Sequence, residues 1–111
     1  MDPVDAVALA RQLIDIDSTT GREGEVARVL AAYLRDRGYS VLEQPVDGAS
    51  GDRINVIAAV GEPHVVFSTH FDCVPPFFPS RLEGGLLFGR GACDAKGILA
   101  APPIGFRTRD V

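Results

Sequence analysis

The chain has 111 residues, enough for one small domain. A hydrophobic content of 46% excludes wholesale disorder, and a formal net charge of −4 with interspersed acids and bases argues against a nucleic-acid partner or an anionic membrane surface. No apolar run approaches the roughly 20 residues of a membrane helix, so no membrane partner is expected.

The amino end, MDPVDAVALARQLIDID, is acidic and amphipathic and lacks the basic start and apolar centre of a signal peptide, so a cytoplasmic location is expected. Residues 3–16 are predicted helical, with Pro3 in the first turn and an apolar stripe of Val4, Val7, Ala8 and Ile14. The segment STTGRE breaks the pattern. Thr20 and Glu23 fit a Thr-x-x-Glu capping box that opens a second helix over 22–37. Its stripe is Val26, Val29, Leu30, Tyr33 and Leu34, and Gly38 is its stop, with Arg35 and Arg37 opposing the helix dipole in the last turn.

From Tyr39 the rhythm changes to strand. YSVLEQPV is β-rich, GASGD is turn material, and INVIAAV (54–60) reads as a strand buried on both faces. HVVFSTHFD supplies a second buried strand over 64–70, with its polar residues gathered at the carboxyl end. PPFFPSRLEGG is an irregular loop, and LLFGRG a short strand leading into GRGACDAKG. Helices preceding buried strands predict an α/β sandwich. After Ala101 come Pro102 and Pro103, which interrupt any helix continuing from DAKGILAA.

His70 and Asp72 sit two apart at the end of a predicted strand, so strand alternation puts both on one face. A metal-bound histidine needs its second ring nitrogen held by an acceptor, and Asp72 is placed to be one; the competing reading, which a lone His-x-Asp more often carries, is a plain surface or structural hydrogen-bonding pair. Asp94 lies in a glycine-rich turn, where a carboxylate can bridge two divalent ions while the glycines let the backbone approach closely. The competing reading of Asp94 is a plain surface pairing with Lys96. A phosphate loop fails because Ile98 follows Gly97 where a hydroxyl is required. Cys73 and Cys93 with His70 can also make a thiolate zinc site, but without a Cys-x-x-Cys pair both cysteines read as buried and inert. Two cysteines make no disulfide framework, and His64 reads as structural.

STHFDCVP followed by GRGACDAKGILAA resembles the metallopeptidase family of acetylornithine deacetylase, succinyl-diaminopimelate desuccinylase, aminoacylase and glutamate carboxypeptidase. The resemblance runs from the first helix and STTGREGE to near Ala101. It implies a hydrolase of linear amide bonds with two zinc ions (or cobalt), acting on small N-acyl amino acids or peptides. It implies that His70 ligates one metal, that Asp94 bridges both, and that Asp72 is the catalytic-site aspartate that orients His70. It also implies a cis Asp94–Ala95 peptide.

The fold implied is the amino-terminal part of a helix–sheet–helix zinc-peptidase catalytic domain over residues 1–101, without the lid domain, followed by an aberrant or truncated tail over 102–111. The family's Glu-Glu pair, which holds the general base, finds no match in the sequence, so the chain alone is expected to be inactive. The alternative from another class is a small non-catalytic α/β module for metal binding or interaction.

Overall fold

The computed structural model describes residues 6–48, 51–62 and 65–101. The tail over 102–111, His64 and Val4 lie outside the described residues. Helix α1 spans Ala6–Ile14 and α2 spans Gly24–Asp36. Strands β1 (Ser40–Pro45) and β2 (Ile54–Ala59) pair antiparallel with Leu42 opposite Ile57, and β3 (Arg81–Glu83) pairs antiparallel with β4 (Leu86–Phe88). A short α3, Gly97–Ala100, closes the described chain. The architecture is a small α/β arrangement, as the patterning predicts.

The face that α1 buries differs from the predicted one. Leu9, Ala10, Leu13 and Ile14 point inward, while Val7 and Ala8 are exposed. Two leucines and an isoleucine repeating at steps of four and one carry more apolar surface than the smaller Val7 and Ala8, so they define the stripe. On α2, Val26, Leu30 and Leu34 are buried as predicted, joined by Ala27 and Ala31, with Val29 and Tyr33 half-buried. Gly38 adopts φ 91°, and the N–H groups of Gly38 and Tyr39 satisfy the carbonyls of Arg35 and Leu34.

The capping box does not form. Glu23 turns back to accept from Gly21 N–H at 2.8 Å and from Arg53 Nε at 3.0 Å, and Thr20 is used elsewhere. The loop between β1 and β2 docks on this helix start. Gly24 N–H donates to the Asp52 carbonyl at 2.8 Å, and Arg28 holds the Asp52 carboxylate with two bonds of 2.9 Å.

The core lies between α1, α2 and one face of the β1–β2 ribbon, with Ala100 of α3 completing it and Val41, Val56 and Phe71 packed against it. Two predicted strands are corrected. β2 is not buried on both faces: Ile57, like Leu42 opposite, faces outward on the side away from the helices. Residues 65–70 form no strand, and Val65, Val66 and Phe67 are exposed. A strand needs a ladder partner, and among the described residues β1 and β2 pair only with each other. Further along the chain, Cys73 bridges Thr19 in parallel.

Candidate functional site

The connector between α1 and α2 grips the chain just after His70. Ser18 Oγ donates to the Phe71 carbonyl at 2.6 Å, Cys73 N–H to the Ser18 carbonyl at 3.0 Å, and Thr20 N–H to the Cys73 carbonyl at 3.2 Å. These bonds fix Phe71–Cys73 over the carboxyl end of α1. Asp94 arrives on an irregular turn, 92–96, in which Asp94 (φ −127°, ψ 94°) and Ala95 (φ −136°, ψ 18°) leave helical geometry. The Asp94–Ala95 peptide is cis, as the resemblance implies, and Pro75–Pro76 is cis as well. Gly91 enters the turn at φ 86°, and a Cβ there would press on Cys73 Sγ at 3.2 Å. A Cβ on Gly97 would run into the backbone carbonyl of Ala92. These glycines therefore allow close approach to the protein's own chain.

The three predicted site residues converge. When the ring carries a proton on both nitrogens, His70 Nδ1–H donates to Asp72 Oδ1 at 3.0 Å and Nε2–H donates to Asp94 Oδ1 at 2.8 Å. The imidazole is thus clamped between two carboxylates, with 83% of the Asp94 side chain exposed to solvent. Thr20, which sequence reasoning assigned to a helix cap, donates its hydroxyl to Asp72 Oδ2 at 3.2 Å. Only its position in the turn before α2 could have hinted at this.

Burial lowers the His70 pKa, but the hydrogen bond to Asp94, the Asp72 carbonyl and the charges of both aspartates outweigh it and leave it above the usual 6.5. A raised folded value means that this group's contribution to stability is complete below about 6.5 and is lost as pH rises through the folded value. Asp94→Asn should therefore lower the His70 titration midpoint in an NMR titration of the metal-free chain. An unchanged midpoint would show that the Asp94 bond is not formed in solution.

Lys96 does not pair with Asp94. It is almost fully buried, and its Nζ donates to the Ile16 carbonyl at 3.1 Å. The carboxyl end of α1 draws the ammonium inward, while Asp94 faces His70 on the solvent side. Cys73 is buried beside Ser18 Oγ at 3.4 Å, as expected, whereas Cys93 is exposed because the turn directs it outward.

The donor types suit zinc: one imidazole nitrogen and one carboxylate oxygen, with the second ring nitrogen held by a carboxylate. The 2.8 Å between Nε2 and Oδ1 is a direct hydrogen bond, shorter than the roughly 3.3 Å that separates two donors on one tetrahedral ion. Their number falls short, since no group of three or more His, Cys, Asp or Glu able to hold a metal occurs among the described residues. The thiolate alternative therefore gains no cluster either. A groove of about 340 Å³ opens beside His70 between β2 and residues 68–72, with Arg53, Asn55, Ser68 and Thr69 in its lining. No described helix is long and apolar enough to cross a membrane.

Among the described residues, His70 thus lies between two aspartates at the edge of a small α/β unit. Sequence comparison identifies the lineage. A probable carboxypeptidase of Emericella nidulans is 35% identical over 108 residues, covering 88% of this chain and 25% of that protein. A peptidase M20 domain-containing protein of Schizosaccharomyces pombe is 39% identical over 98 residues, covering 86% and 24%. The succinyl-diaminopimelate desuccinylase of Gluconacetobacter diazotrophicus is 40% identical over 106 residues, covering 86% and 28%. No family model matches the chain. Over the matched residues the chain is similar to members of the M20 peptidase family, a lineage of hydrolases. It spans about a quarter of the length of these curated relatives.

Proposed function

We propose that residues 1–101 are the amino-terminal part of the catalytic domain of a metal-dependent hydrolase of linear amide bonds, and that the chain by itself is inactive. The observation that carries this reading is the His70 clamp, with Asp72 on Nδ1 and Asp94 on Nε2. In this reading His70 Nε2 and Asp94 would hold zinc or cobalt, two ions in the complete site. A divalent ion there supplies Lewis acidity toward an amide carbonyl.

The chain's own residues do the positioning. Asp72 keeps the proton on Nδ1, which leaves the Nε2 lone pair facing Asp94 once its own proton departs. Asp94, largely open to solvent, has two oxygens with which to reach two ions. The groove beside His70, lined by polar and apolar side chains alike, is within the size range of small-molecule sites, of the order of 300–1,000 Å³, and is large enough for a small N-acyl amino acid or peptide end. The relatives' names, carboxypeptidase and desuccinylase, support an amide substrate without choosing one.

Inactivity follows from counting donors. A catalytic zinc takes about three protein ligands plus one open position, and the array offers two donors. A general base contributes typically about 10²–10⁴ in rate, and no group in the described array is assigned that role. Calorimetric titration with zinc should show weak binding that vanishes in His70→Ala. Assays on N-acetyl and N-succinyl amino acids should show no turnover. Zinc binding indifferent to His70→Ala and Asp94→Ala would refute the metal assignment and favour the non-catalytic interaction module. Turnover lost in His70→Ala would refute the inactivity.

A further inference from the structure

We infer that Thr20 is a positioning residue for the His70 imidazole, acting through the Asp72 carboxylate. The two oxygens of Asp72 are divided between two partners. Oδ1 accepts from His70 Nδ1–H at 3.0 Å, and Oδ2 accepts from Thr20 Oγ1–H at 3.2 Å. Asp72 is partly exposed, and the terminal torsion of an aspartate is broad and two-fold, so a single partner leaves the carboxylate free to rotate. The second partner removes that freedom.

Thr20 is itself well anchored. Its N–H donates to the Cys73 carbonyl at 3.2 Å, next to the parallel bridge between Thr19 and Cys73. A β-branched side chain has few rotamers, so a fixed backbone largely fixes the hydroxyl. The chain of contacts therefore runs from the α1–α2 connector through Thr20 and Asp72 to the ring and on to Asp94. Helix capping makes no claim on this hydroxyl, because α2 starts without a side-chain cap bond. The inference bears on metal binding only through the proposed role of His70, so its test includes a readout that needs no metal.

Thr20→Val keeps the shape and removes the hydroxyl, and Thr20→Ser restores it. Thr20 is exposed, and its backbone bond to Cys73 survives both changes. In the metal-free chain, the His70 Nδ1–H resonance should exchange with solvent about three- to tenfold faster in Thr20→Val, the scale of one lost hydrogen bond, and near the native rate in Thr20→Ser. With Co²⁺ as probe, Thr20→Val should weaken binding by a few-fold, less than the roughly 10–100-fold expected from removing Asp72 itself.

An unchanged Nδ1–H exchange rate in Thr20→Val overturns the inference. So does equal acceleration in Thr20→Ser, which would make Thr20 merely structural. Absence of Co²⁺ binding in the native chain would sink the metal reading alone, because the exchange measurement still decides the role of Thr20.

Discussion

Leu13→Ala is expected to destabilise the chain by about 2–5 kcal/mol, enough to remove most of the stability of a small domain. Leu13 is fully buried at the centre of the cluster shared by Leu9, Ile14, Val26, Leu30 and Ala100. Helix α1 has nine residues, below the roughly 12–15 at which an isolated helix becomes even marginal, so packing and not propensity holds it. Removing the Leu13 side chain leaves a cavity under the helix that carries the connector to the site. α1 also packs against α3 and the Asp94 turn, so the loss should spread to the His70–Asp94 contact. Urea denaturation followed by circular dichroism would read the change, and a shift below about 1 kcal/mol would mean that α1 is not docked as described.

The second large effect is expected at Lys96. Its side chain is buried with its ammonium on the Ile16 carbonyl, so Lys96→Ala both opens a cavity and leaves that carbonyl without its donor. Together these should cost about 3–5 kcal/mol. Lys96→Met keeps the length and loses only the donor, and should cost about 1–3 kcal/mol. Burial holds the Lys96 pKa below its usual 10.5, partly opposed by Cys73, Asp17 and Asp15. A lowered folded value for a base means that the native state binds fewer protons than the unfolded chain between the two values. Stability linked to Lys96 should therefore rise as pH climbs from the folded value toward 10.5, and this slope should disappear in Lys96→Met. Equal costs for Ala and Met, with the slope intact, would place the ammonium in solvent.

Much of the framework was legible because its signals are local. The α2 stripe, its stop at Gly38 and the β1 segment each depend on residues within a turn or two of one another, and all three appear where the periodicity puts them. His70, Asp72 and Asp94 were singled out by spacing and by the resemblance, and they do meet. The strand over 64–70 was not legible correctly, because an apolar β-branched run reports a tendency to pair while the partner is a long-range matter. The same limit applies to β2, whose composition suits burial although one face stays open.

Sequence alone therefore determined which segments twist into helix and where they stop, and it singled out three side chains that meet in the fold, since periodicity, glycine conformation and donor type are properties of short stretches. Tertiary structure alone decided what those polar groups hold. Thr20 and Glu23 match a capping box in every local respect, yet Asp72 lies 52 residues on from Thr20 and Arg53 lies 30 on from Glu23, and these distant partners take the Thr20 hydroxyl and one oxygen of Glu23. Lys96 is two residues from Asp94 and bonds instead to Ile16, 80 residues away, because folding brings the carboxyl end of α1 under the turn. A hydrogen bond forms with whichever group stands at the right distance and angle once the backbone is placed, and that placement is set by burying Leu9, Leu13, Val26 and Leu30 together.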